Sequence, residues 1–224
     1  MLSGIIGISI GDSFYIISLK KIGTRLTLTV EALSPVIATV FGALFLREML
    51  SLKVFLGIII VSISLIGVAL QKTINHNNII SKTDKNIGFM FAFLSVLCAV
   101  IAAALSRLVL INYSLNTFQT TEIRLLGSII GMFPVLQNNL IVSIKDLPAK
   151  NKLKILYATV LGTNIGILLQ QNVFKLLPIG LGWTLLSTSP VIALFFARAE
   201  GEQLNWKTLV LTMTTILGVG IVFI

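Results

Sequence analysis

The sequence predicts an all-α membrane protein: eight transmembrane helices in an inverted-repeat bundle, three plus five helices of a ten-helix fold. Three observations carry this prediction. First, the 224 residues are 56% hydrophobic and 11% charged, with mean hydropathy +1.00, whereas a soluble domain carries roughly 25% charge. Second, apolar runs recur that are long enough, at about 20 residues, to cross a hydrocarbon core of about 30 Å. Third, residues 162–196 laid on residues 7–41 agree at twelve positions without a gap. These are Gly7/Gly162, Ile10/Ile165, Gly11/Gly166, Lys20/Lys175, Leu26/Leu181, Thr29/Thr184, Ser34/Ser189, Pro35/Pro190, Val36/Val191, Ile37/Ile192, Ala38/Ala193 and Phe41/Phe196. Self-similarity at a fixed shift marks duplicated architecture.

The apolar runs give spans at 1–19, 26–46, 52–70, 88–111, 118–136, 153–174, 179–197 and 206–224. Backbone polar groups in lipid need internal partners, so the spans are helices. Barrel strands would alternate polar and apolar residues over about ten positions, and these runs do not. Segment 1–19 lacks the basic start and small-residue cleavage site of a signal peptide, and Lys20-Lys21 follows it. The lone cysteine, Cys98, excludes a disulfide framework. The net charge of +9 comes from short loops, where lysines report orientation rather than nucleic-acid binding.

A polar connector separates three spans from five. The expected organisation is an N-terminal half at 1–72, the connector at 73–87 and a C-terminal half at 88–224. The first three spans match the last three of the five. A five-plus-five protein whose first two helices are absent accounts for this, and five being odd, the halves would have inverted topology.

Asp12 and Glu31 are acids placed within spans, at a cost of about 2.5–3.5 kcal/mol for a charge at a helix centre. Such groups face a bundle interior or a wet cavity. Glu31 shares a helix face with Thr27, Ser34 and Ala38. Pro35 removes a backbone donor and frees a carbonyl near Glu31. Glu31 is then a substrate contact or protonation switch, or a carboxylate locking two helices; both readings stand. The repeat mates of these acids are neutral, Ile167 and Leu186. The second half offers amides: Asn164 and Gln171, seven apart, share a face and are favoured as solute contacts, whereas Gln170 and Asn172 are favoured as interhelical hydrogen-bonding groups. Trp183 is a candidate contact at a position where interfacial anchors are common. Arg124 opens the 118–136 span as an anion contact or a snorkelling anchor. Gly127 and Gly131 favour close helix packing. Glu48 and Glu202 read as helix-end caps or loop salt bridges.

The sequence has no Gly-x-x-x-x-Gly-Lys-Ser/Thr loop, the P-loop signature for ATP. Its single histidine, His76, cannot by itself make a metal site. No catalytic cluster stands out, so no enzyme activity and no cofactor are expected.

The arrangement resembles the drug/metabolite transporter superfamily, specifically the EamA-type ten-helix permeases. The resemblance rests on Gly11-Asp-Ser-Phe-Tyr-Ile-Ile-Ser-Leu-Lys-Lys-Ile-Gly23, on Leu33-Ser-Pro-Val-Ile-Ala38 running to Leu46-Arg-Glu-Met-Leu50, and on Thr188-Ser-Pro-Val-Ile-Ala193 running to Gly201-Glu-Gln-Leu204. Arg47 stands where the family prefers glycine and Gln203 where it prefers arginine. The resemblance implies a secondary transporter, an exporter of small metabolites such as amino acids, working by alternating access about a cavity between the halves. Its expected place is the bacterial inner membrane, multi-pass. The substrate contacts would come from Asp12, Glu31, Ser34, Arg124, Asn164, Gln171 and Trp183, with Pro35 and Pro190 as equivalent hinges. The expected partners are a small-molecule solute and the lipid bilayer; a homodimer is left open, and nucleic acid is not expected. A non-transporting assembly subunit or truncated remnant is the alternative. Without the first two helices the cleft is expected to open to lipid beside Asp12 and Glu31. Orientation is open as well: the positive-inside rule puts the lysine-rich side and the connector in the cytoplasm with both termini outside, and the resemblance implies the reverse.

Overall fold

The computed structural model describes residues 1–70, 81–113, 115–134, 148–189 and 206–223. Described residues in regular structure are all helical, with no strand among them. We number the helices α1 (Leu2–Thr24), α2 (Leu26–Leu46), α3 (Leu52–Ala69), α4 (Lys82–Asn112), α5 (Thr117–Met132), α6 (Ala149–Leu176), α7 (Ile179–Leu186) and α8 (Trp206–Phe223). Each expected span coincides with one of them over at least part of its length. Five, namely α1, α2, α3, α4 and α6, are long and apolar enough to cross a membrane on their own. Helix α5 has 16 residues, and the apolar part of α8 is Leu209–Phe223. Pro190, Glu202, Gln203, His76 and most of the connector lie outside the described residues, as does the 190–197 part of the seventh span.

Local sequence sets the breaks. Gly23 has φ 75° and ψ 168°, a conformation that costs glycine little because it lacks Cβ. It separates α1 from α2. Within α2 the helix turns at Ala32-Leu33 and restarts at Ser34, with Pro35 in the first turn, where its missing N–H is harmless. A proline at 35 leaves the Glu31 carbonyl without its helical donor, and the Ser34 hydroxyl donates to that carbonyl at 2.6 Å. Helix α2 ends in a left-handed Arg47, φ 56°. The Ser51 hydroxyl caps α3, and Asn116 and Gln119 form a reciprocal capping box at the start of α5.

Two local features recur at the spacing of the sequence repeat. The turn Ala32-Leu33 before Ser34 has its counterpart in Ser187-Thr188 before Ser189. The π-helical stretch Ile5–Gly11 of α1 has its counterpart, one residue out of register, in Thr159–Ile165 of α6.

Helix α4 is the central pillar. Ala92, Val96, Val100, Ala103 and Ala104 are buried along it at spacings of three and four, forming one core with Val30, Ala38, Phe174 and Ile179. Helices α3 and α8 pack on each other, and α3 packs on α2. Helix α5 crosses the start of α1 closely. A Cβ on Gly127 would lie 2.3 Å from the Met1 carbonyl oxygen, and one on Gly131 2.5 Å from Ser9 Oγ. The Gly-x-x-x-Gly pair thus serves close packing, as the sequence suggests.

One polar staple ties three of these parts together. Arg107 Nε of α4 donates to Glu48 Oε1, and Arg107 Nη1 donates to the Phe174 carbonyl at 2.6 Å. Glu48 Oε2 accepts from the Ile179 N–H at 2.8 Å. The end of α2 is thereby pinned to α4 and to the α6–α7 corner. The exposed Lys21–Asp84 pair, at 2.5 Å, joins α1 to the start of α4, and pairs of this kind contribute about 0–1 kcal/mol.

Candidate functional site

Two cavities adjoin in the bundle. The first, about 240 Å³, lies among Leu28, Glu31, Ala32 and Ser34 of α2, Leu65, Val68 and Ala69 of α3, and Leu186, Ser187 and Ser189 at the end of α7. The second, about 280 Å³, lies among Gly7, Ile8, Gly11 and Asp12 of α1, Ser95 and Ala99 of α4, Arg124 of α5, and Ile167 and Gln170 of α6. Tyr15, Glu31 and Trp183 line both. These three side chains therefore stand at the boundary of one divided cleft.

The walls follow the sequence repeat. In the first cavity the shift of 155 pairs Leu28 with Trp183, Glu31 with Leu186, Ala32 with Ser187 and Ser34 with Ser189. In the second it pairs Asp12 with Ile167 and Tyr15 with Gln170. Six equivalent positions of the two copies thus line the cleft, whereas Gly7, Ile8 and Gly11 line it from the first copy alone. The copies differ in chemistry. The first copy brings both carboxylates and a phenol, while the second brings an amide, an indole, two serine hydroxyls and aliphatic groups.

Glu31 is held from α4: Ser95 Oγ donates to its Oε1 at 2.9 Å. Arg124 is only 5% exposed, and its Nε and Nη1 are buried without a hydrogen-bond partner among the described residues. The indole Nε1 of Trp183 is likewise buried and has no partner among them. Asp12 lines the same cavity, is exposed, and interacts with Arg124 through their opposite charges. Gly7 leaves room for the guanidinium, since a Cβ there would sit 3.2 Å from Arg124 Nη2.

A profile of the EamA-like transporter family matches residues 1–70 and 86–224. The chain belongs to that family. A solved crystal structure, described only as that of a protein, superposes with a TM-score of 0.75 at 15% sequence identity, over 100% of this chain and 76% of that one. At that identity the likeness speaks for the fold alone. No curated protein matches the chain. EamA-like membership makes this a multi-pass integral membrane protein of the drug/metabolite transporter type, a family of carriers and not of enzymes.

Of the residues singled out from the sequence, the structure brings Asp12, Glu31, Ser34, Arg124 and Trp183 to the cleft. Pro35 is fully buried beside it, and its counterpart Pro190 lies outside the described residues. Asn164 is exposed on α6 and lines neither cavity. Gln171 is fully buried against α4, its Nε2 3.4 Å from Ser106 Oγ, and its neighbour Gln170 lines the cleft in its place. Tyr15, Ser95, Ser187 and Ser189 are polar lining residues that the sequence reasoning left out, and Gln170, read there as an interhelical group, joins them. Tyr15 follows Asp12 by three residues, so helical spacing alone places the two on one face.

Proposed function

We infer that this EamA-like protein is a secondary transporter of small organic metabolites, with an exporter of amino-acid-like solutes as the favoured form. The divided cleft between α1–α3 and α4–α7 is its solute path. One observation carries this reading: repeat-equivalent residues of both copies line the cleft. A binding site at the interface of two internal repeats is what alternating access by rocking of one repeat against the other requires. In this reading the two copies are related by inversion across the membrane plane, and the turns before Ser34 and Ser189 are equivalent hinges. Glu31, Tyr15 and Trp183 divide the path, so they meet the solute whichever side is open. Asp12 and Glu31 recognise cationic groups, and Gln170 and the hydroxyls recognise neutral polar ones.

The test is flux. The purified protein in proteoliposomes should exchange radiolabelled amino acids across the bilayer, and Glu31→Gln and Trp183→Ala should each lower the initial rate by about tenfold or more, as loss of a buried polar or aromatic solute contact does. Absence of flux from every solute, with folded protein in the bilayer, would sink the transporter reading in favour of a non-transporting role.

A further inference from the structure

We propose that the second cavity holds an anion subsite that seats the carboxylate of a small zwitterionic solute. Arg124 and the indole N–H of Trp183 are its donors, and Asp12 and Glu31 face the solute's ammonium group. The proposal rests on the transporter reading and names the chemistry of its substrate.

The argument is one of unmatched donors. Burying a polar N–H without an acceptor costs about 1–3 kcal/mol, and more when the group is charged. Arg124 carries two such atoms, Nε and Nη1, and Trp183 a third. All three belong to side chains lining the cleft. The unpartnered buried atoms of this cavity's described lining residues are all donors, which calls for a ligand that brings acceptors to them. Nε and one Nη of a guanidinium form the fork that binds a planar carboxylate through two parallel hydrogen bonds. A free anion is a poor guest, because Asp12 and Glu31 line the same cavity and like charges repel across a medium of low dielectric. A solute bearing both signs satisfies both walls. Ile8, Ala99 and Ile167 supply apolar surface for its side chain. A snorkelling arginine would instead carry its head to water, and Arg124 is buried.

The experiment reads binding at Trp183 directly, apart from flux. Trp206 is exposed at the start of α8, so Trp206→Phe leaves Trp183 as the sole indole. Fluorescence titrations would use L-leucine, L-phenylalanine and L-threonine, each beside its methyl ester and its decarboxylated amine. At least one amino acid should give a saturable change, with its ester and amine bound about tenfold or more weakly, the loss expected for a charge-assisted hydrogen-bonded pair. Arg124→Gln should abolish the preference for acid over ester by weakening acid binding, with ester binding no weaker than before, because the cationic ester loses a like-charged neighbour beside Asp12. Arg124→Lys should keep part of that preference. A purely structural arginine would lower acid and ester binding alike when replaced. Equal affinity for acid and ester in the unaltered protein, no saturable response to any of the three, or an acid preference that survives Arg124→Gln would each overturn the subsite. Flux measured alongside separates the two readings. Carboxylate-selective binding without flux keeps the subsite and removes the transporter, whereas flux without carboxylate selectivity does the opposite.

Discussion

Arg47 is where a single residue departs from what its backbone asks. It ends α2 with φ 56°, the left-handed conformation that glycine favours at a helix C-terminus. The resemblance of Leu46-Arg-Glu-Met-Leu50 to the family's helix end marks the same position as one that prefers glycine, and the structure gives the physical reason. A side chain in this region costs about 1 kcal/mol or more. Arg47→Gly should therefore raise the unfolding free energy by about 0.5–1 kcal/mol, read as a higher melting temperature in detergent. A lower one would mean that the arginine makes a compensating contact. The same scale shows what one residue reveals in sequence. Asp12, Glu31 and Arg124 stand out because a charge in lipid is costly and needs an interior. Tyr15 and Ser95 carry no charge, and each is as common on a packing face as on a cavity wall. Ser95 gains its role only from Glu31, a partner 64 residues away.

Element phase decides the fate of the amides. Asn164 and Gln171 share a face if α6 is a regular α-helix, since seven residues make about two turns. Thr159–Ile165 is π-helical, and the wider π turn rotates everything before it relative to everything after. Asn164 lies inside that stretch and Gln171 beyond it. One is exposed and the other fully buried, and Gln170 takes the cleft. Residue types do not announce a π turn, so this phase was not legible, whereas the breaks at Gly23 and before Pro35 were. The Glu48–Arg107 staple belongs to this scale too, for it joins α2, α4 and the α6–α7 corner through side chains only 13% and 10% exposed. Removing one member of a buried pair costs about 3–5 kcal/mol, because the other charge is left bare. Glu48→Ala and Arg107→Ala should each lower stability by that order. The double variant should be destabilised by clearly less than the sum, the coupling that a shared interaction produces. Additive losses would show that the two residues act separately.

At the scale of the whole molecule the repeat was legible because it is identical at Ser-Pro-Val-Ile-Ala, and in the structure equivalent positions of the two stretches meet at the cleft. Six pairs of equivalent positions line one divided cleft. In the proposed reading, duplication accounts for the match of the walls in position. Divergence explains why the acids lie on one wall and the indole on the other. If the copies move against each other during transport, the distance across the cleft must change with every cycle. Ala32 and Ser187 are such a pair, both lining the first cavity at the turns that precede Ser34 and Ser189. In a Cys98→Ser background, Ala32→Cys and Ser187→Cys joined by a short bifunctional thiosulfonate should hold the copies at one separation. Flux in proteoliposomes should then stop, and a reductant should restore it. Neither single variant treated with the same reagent should show a loss that requires both sites. Undiminished flux with the tether verified by mass would mean that the copies do not rock, and that the cleft transmits solute, if at all, by some other motion.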